Sequence, residues 1–296
     1  MKTNKQINKK TNKLLGTTLL IAALGFASSA IAQTDFSSVQ IQTIPVRGNI
    51  SMLMGAGGNI GVSAGEDGVL IIDDQYAPMA EKIRAALGAL GSDTPEFLLN
   101  THFHGDHTGG NADFGVASII VAHKNVRSRL VAGDSAASSL PVITFDDNVT
   151  VHFNGEDITL IHMPRGHTDT DSVVMFADSN VIHMGDHFFN GGFPFVDMSS
   201  GGTVQGYINN LEKALSWIDD DTAVIPGHGP LGNKADLMNF YNVVKDTSTA
   251  IRVKKSQQQS KEEIVAAGLG EEYASWGTGF INEQRWIETV FDSYAR

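Results

Sequence analysis

The chain has 296 residues, 42% hydrophobic and 18% charged, with 33 acidic against 21 basic residues and no cysteine. That composition supplies a sizeable core and fits one large domain or two small ones. The formal charge of −12 repels phosphate backbones, so nucleic acid is not an expected partner, and zero cysteine excludes disulfides, thiolate ligands and thiolate nucleophiles.

The first 32 residues read as an address rather than as fold. Lys2, Lys5, Lys9, Lys10 and Lys13 precede an interrupted apolar run from Leu14 to Ala27, and Ala30-Ile31-Ala32 makes a small-x-small site before Gln33. This is the pattern of a secretory signal peptide cleaved after Ala32. The expected mature chain, 33–296, is then periplasmic or secreted, with no membrane anchor. Removing five lysines and no acid leaves 16 basic against 33 acidic residues, a formal charge of −17.

Along that mature chain, residues 39–46, 49–54, 58–63 and 68–73 alternate or run apolar between Gly and Asp turns and predict antiparallel strands. Ala77 to Leu90 has helical spacing. A strand at 96–100 follows, then a loop, a strand from Ser118 to Ala122, and a helix from His123 to Leu130 with His123 as its cap. Val149 to Phe153, Asp157 to Met163, Ser172 to Ala177 and Asn180 to Met184 predict four more strands. A helix from Val204 to Ile218 leads to a strand at Thr222 to Ile225, and helices near 233–255, 260–268 and 282–294 close the chain. Two strand-rich halves flanked by helices, with no Pro- or Ser-rich linker between them, predict one α/β domain of two sheets packed between helical layers.

The chemistry is concentrated where strands stop. His102, His104, Asp106 and His107 crowd the loop after strand 96–100. In extended backbone, side chains at i and i+2 point the same way, so His102 and His104 can close on one ion. Asp106 and His107, past Gly105, are free to face another. Three later strand ends expose His167, Asp186 and His228, each beside glycine. Imidazole and carboxylate suit zinc, with iron or manganese as alternatives.

In this order, His-x-His-x-Asp-His, Gly-His-Thr, Gly-Asp and Gly-His-Gly resemble the motif set of the metallo-β-lactamase superfamily, over about residues 48–230. The resemblance implies a four-layer αββα sandwich of two mixed β-sheets flanked by helices. It also implies a ligand set: His102, His104 and His167 for one zinc, Asp106, His107 and His228 for a second, and Asp186 bridging them. The zinc β-lactamases that place cysteine where Asp186 stands are excluded. A complete set with the bridging Asp is similar to glyoxalase II, the zinc lactonases and thioesterases, whereas export is a trait of the zinc β-lactamases. The implied reaction is attack of a metal-bridging hydroxide on the carbonyl of a small-molecule ester, thioester, lactone or β-lactam, with Asp106 orienting the hydroxide as well as ligating. Two alternatives stand beside it: a mononuclear iron persulfide dioxygenase-like enzyme, and a true β-lactamase. A Ser172–His167–Asp171 triad exists on paper but lacks the Gly-x-Ser-x-Gly elbow.

Around the ligands, Asp73 at a strand end is a candidate to accept the outer N–H of a ligand histidine. His187 is a candidate substrate contact. Phe188, Phe189 and Phe193, with Phe195 after them, are expected to wall an apolar pocket. His152, His162 and His183 lie within strand patterns and are expected to be structural.

Overall fold

The described residues form thirteen strands in two sheets, in runs broken by helices. The computed structural model describes residues 35–294, so the leader reading lies outside them. The first sheet has seven strands in sequence order: β1 (Gln42–Arg47), β2 (Ile50–Met54), β3 (Ile60–Gly65), β4 (Gly68–Ile72), β5 (Phe97–Asn100), β6 (Ile119–His123) and β7 (Ile143–Phe145). β1 to β4 form an antiparallel meander, and β4 to β7 run parallel. The second sheet has six: β8 (Asn148–Phe153), β9 (Glu156–His162), β10 (Ser172–Phe176), β11 (Val181–His183), β12 (Ala223–Ile225) and β13 (Gly232–Asn233). It is antiparallel except where β11 and β12 pair in parallel. The two sheets are mixed, as expected.

Alternation along β4 shows how the layers arise. Leu70 and Ile72 face the second sheet, packing in one cluster with Leu160, Val174, Phe176 and Ile225. Val69 and Ile71 point the other way, to α1 (Ala80–Gly88), where they meet Ile83 and Leu87. On the far side, Val173, Ile182 and Val224 pack beneath α5 (Val204–Leu215), α6 (Lys234–Ser256) and α8 (Glu283–Ser293). α5 presents Tyr207, Ile208, Leu211, Ala214 and Leu215 to that cluster, the spacing of one helical face. Helix, sheet, sheet, helix is therefore the arrangement, each sheet apolar on both faces.

The short helices α2 (Gly105–Thr108) and α3 (Asn111–Phe114) follow β5, α4 (Lys124–Ala132) follows β6, and α7 (Lys261–Ala267) lies between α6 and α8. His123 caps α4, its Nδ1 accepting from the Asn125 amide at 3.3 Å. β7 and β13 were not expected; at three and two residues they are edge strands too short to show alternation. The helix expected to reach Ile218 stops at Leu215.

Parallel pairing decides where the site lies. β4 and β5 pair through Ile72 and Leu99, so Asp73 and the histidine loop leave the first sheet at one edge. β11 and β12 pair through His183 and Ile225, bringing the Gly185-Asp186 and Gly227-His228 turns to one edge of the second.

Candidate metal centre

Seven side chains from four loops converge between the sheet edges. His102, His104, His167 and Asp186 each offer a ligand atom, and those atoms lie within 4.8 Å of one another; Asp106, His107 and His228 form a second such group. In the first group, His102 Nε2 and His104 Nδ1 are 3.2 Å apart and His167 Nε2 is 2.8 Å from the same His104 Nδ1. Asp186 joins the groups: Oδ2 lies 3.3 Å from His167 Nε2, and Oδ1 lies 3.0 and 3.3 Å from His107 and His228 Nε2. Asp106 Oδ2 is 3.4 Å from His228 Nε2.

The outward nitrogens reveal which ring atoms face in. His167 Nδ1 donates to the Phe195 carbonyl at 2.7 Å, and His107 Nδ1 donates to Asp73 Oδ2 at 2.7 Å. His102 Nδ1 donates to Thr101 Oγ1 at 3.1 Å, and that hydroxyl donates to Asp73 Oδ2 at 2.7 Å. His104 Nε2 donates to Asp197 Oδ2 at 3.1 Å. With their outer nitrogens carrying the hydrogens, His102, His104 and His167 present bare inner lone pairs to one another at hydrogen-bond range, an arrangement a cation resolves. Asp186 Oδ1 is also buried without a hydrogen bond. The imidazole-carboxylate donor set and these orphaned acceptors fit divalent metal, zinc above all by ligand type.

The charges agree. Burial opposes protonation of His107, yet Asp186, Asp106 and Asp73 together hold its pKa well above the ordinary value. His228 is likewise pushed up to about 9, against burial, by Asp186 and Asp106. Burial alone would raise Asp186, but His107, His228, His167 and His102 keep it well below the carboxylate range. His167, desolvated, falls to about 4. The cluster thus demands positive charge, and metal uptake there displaces protons.

Backbone supports this geometry at two glycines. A Cβ on Gly58 would overlap the His107 ring, and one on Gly227 would overlap Asp186 Oδ1. Asp73 sits at φ 64°, left-handed for a residue with a side chain, and is fully buried, with Oδ1 accepting from the Thr101 amide at 2.8 Å. It is no exposed turn carboxylate.

Three pocket residues expected from the sequence are corrected. Phe188 is buried against Phe240 in the core beneath the helices, and Phe193 is buried, its ring stacked on Trp286 at 5.7 Å. His187 is buried too, stacked on Tyr207, with Nε2 3.0 Å from Asn210 Nδ2. Each followed Asp186 into the interior because the turn after β11 packs under α5 and α6. Phe189 instead lies partly exposed, stacked on the His228 ring at 5.0 Å, and Phe195 stands 5.9 Å from the His104 ring and 5.7 Å from that of His167. The paper triad is absent. His167 Nδ1 turns to a carbonyl, Asp171 accepts from Thr168, and the Ser172 hydroxyl is buried without a partner. His183 is satisfied by Asn59 and Gly185, and His162 by the Asp171 carbonyl; His152 is an exposed partner of Asp157.

Asp197 and Thr101 escaped the sequence reading. Asp197 accepts from the Ser199 and Ser200 amides. Against the effect of burial, those bonds and His104 keep it ionised, far below the usual carboxylate value. An Asp-x-Ser-Ser run signals a turn cap, but not the imidazole its other oxygen touches.

A family model of the metallo-β-lactamase superfamily matches residues 55–228. A hydroxyacylglutathione hydrolase of Polaromonas sp. is 30% identical over 140 residues, 46% of this chain and 49% of that protein. The 2,4-dinitroanisole O-demethylase subunit alpha of Nocardioides sp. is 28% identical over 191 residues, 63% of this chain and 57% of its own. The chain thus spans about half the length of the curated relatives it matches. Among solved structures, the DIM-1 metallo-β-lactamase superposes with a TM-score of 0.60 at 18% identity, covering 70% of this chain and 99% of that one. Matching by more than half its length, and carrying the sheet order and ligand cluster described above, the chain belongs to the metallo-β-lactamase superfamily.

Proposed function

We propose that this protein is an exported hydrolase that holds two zinc ions and cleaves a small-molecule carbonyl substrate: an ester, thioester, lactone or β-lactam. The observation that carries the reading is Asp186, one buried carboxylate whose two oxygens face two separate ligand groups. A single-ion site has no use for the second group, which favours this reading over a mononuclear iron enzyme. The hydroxyacylglutathione hydrolase relatives support thioester or ester cleavage, and the basic-apolar-small run at 1–32 supports export.

Metal held by these residues would polarise a carbonyl and lower the pKa of water from 15.7 to about 7. His102, His104 and His167 would hold one ion and His107, Asp106 and His228 the other, with Asp186 between. Of these, His104, Asp106 and His228 are the partly exposed members, so substrate approaches across them. Against burial, His107 and His228 hold Asp106 below the usual carboxylate value. It is therefore an acceptor at neutral pH, suited to orient a water by taking a hydrogen bond at its carboxylate. Phe189 and Phe195 exclude bulk water from either flank.

Metal analysis of the purified chain, with a panel of aryl ester, thioester, lactone and cephalosporin substrates, tests the proposal. About two zinc per chain, activity lost to chelator and restored by zinc are expected. One iron per chain, or turnover indifferent to chelator, defeats it.

A further inference from the structure

Beyond the ligand cluster, one cation lies a single aromatic ring away from it with no ion-pair partner. Arg285, exposed on α8, lies between two aromatic rings, its guanidinium carbon 5.4 Å from the centre of Phe195 and 4.8 Å from that of Phe280. Phe195 and Phe280 meet edge to face at 5.9 Å, and Phe195 is the ring that flanks His104 and His167. Arg285 is thus separated from the metal ligands by the thickness of one side chain. Phe280 is 74% exposed, an apolar ring left in water beside the cation.

The two rings hold the cation by cation–π attraction, but neither hydrogen bonding nor ion pairing accounts for arginine here. Among the described residues its guanidinium makes no hydrogen bond and no ion pair, as is also so of Arg165 and Arg252, whereas Arg47, Arg84, Arg127 and Arg129 each bond to carbonyls or carboxylates. What sets Arg285 apart is that its ring, Phe195, flanks His104 and His167. It also occupies the third position of its helix, where α6 and α7 both place an acid, Asp236 and Glu263, to complete a capping box. A cation in a first turn opposes the helix dipole. The dipole therefore works against arginine at this position, and only its contacts with the two rings offset that.

From this juxtaposition we infer that Arg285, braced by Phe195 and Phe280, receives a carboxylate of the substrate, so that the preferred substrates are anionic acyl compounds with an apolar portion lying over Phe195. This rests on the hydrolase reading and narrows it to a substrate class. A planar guanidinium grips carboxylate through two parallel N–H bonds, and stacking on aromatic faces fixes its plane without using those donors. The surrounding chain is strongly acidic, and an anion would be turned away from the cleft without a local cation.

Two measurements on the zinc-loaded protein decide it. Hydrolysis of the 4-nitrophenyl half-ester of glutaric acid is compared with that of neutral 4-nitrophenyl pentanoate, and calorimetry compares binding of glutarate with its monoamide. The wild type is expected to favour the charged member of each pair by about tenfold or more, the range of a charge-assisted hydrogen bond. R285Q should abolish that preference while leaving the neutral ester's kcat/KM near wild type, and R285K should keep part of it. Equal loss on both esters would mean that Arg285 only props Phe195 and Phe280, and would overturn the inference, as would an unchanged preference. If neither ester is turned over, the hydrolase reading is what fails, and the glutarate affinities still judge Arg285.

Discussion

Asp73 and His107, 34 residues apart in the chain, meet at 2.7 Å with both side chains fully buried. The contact exists because β4 and β5 are parallel neighbours whose ends open on one edge. It fixes the ring of His107 with Nδ1 outward and Nε2 toward Asp186. Through Thr101 the same carboxylate steadies His102, so one side chain orients a histidine in each ligand group.

Replacing Asp73 with Asn should therefore weaken metal binding before it damages the fold. An amide can offer its nitrogen where His107 and Thr101 need an acceptor, leaving a ring free to choose the wrong tautomer. A loss of about 10- to 100-fold in zinc affinity is expected, read by competition with a chromophoric chelator. Wild-type zinc affinity in Asp73→Asn would show that the carboxylate is mere packing.

Two glycines on the loops give a paired test of the cradle. Gly227→Ala places a methyl on Asp186 Oδ1 and 2.5 Å from the Gly185 carbonyl oxygen, whereas Gly105→Ala meets nothing within 4 Å. Gly227→Ala should cost about 1–3 kcal/mol and reduce zinc content. Gly105→Ala should unfold with the wild type, within about 0.5 kcal/mol. Denaturant titration and metal analysis of both variants check this; equal behaviour would refute the close-approach argument.

Away from the metal ligands, His123 and His162 stack face to face at 3.7 Å and 3° between planes, tying β6 of one sheet to β9 of the other. Burial, then each other's charge and that of Lys124, lowers His123 to about 4; His162 is also lowered, chiefly by burial. The folded state thus binds fewer protons than the unfolded chain, whose histidines titrate near about 6.5. Stability from this pair is present above that value and is lost as pH falls from about 6.5 toward 4. Denaturant midpoints across that window should decline on acidification, less steeply in His162→Gln. Measuring both proteins with chelator present separates this slope from metal loss, and identical slopes would remove the pair as its cause.

Most of the layer order was legible from residue pattern, since alternation in β2 to β4 and the helical spacing of α5 and α8 reflect which face each element buries. The short edges β7 and β13 were not legible, because two or three residues carry no period. All seven candidate ligands were readable as strand-end histidines and aspartates, and the structure gathers all of them into two adjoining groups. The aromatic run after Asp186 misled for a physical reason: adjacent phenylalanines share a composition but not a direction. Phe188 turns under α6 while Phe189 lies on His228.

The sequence by itself determined which side chains are available for metal chemistry, that thiolate is not among them, and that two apolar-faced sheets must be covered by helices. These follow from residue type and short-range periodicity, which are local properties. Tertiary structure alone decided which ring nitrogen each histidine turns inward and that Asp186 stands between the groups. It also decided that Asp197 and Thr101 support them and that Phe195 stands between His104 and Arg285. Those are relations between segments brought together by parallel strand pairing and packing, and no local pattern encodes the distance across them.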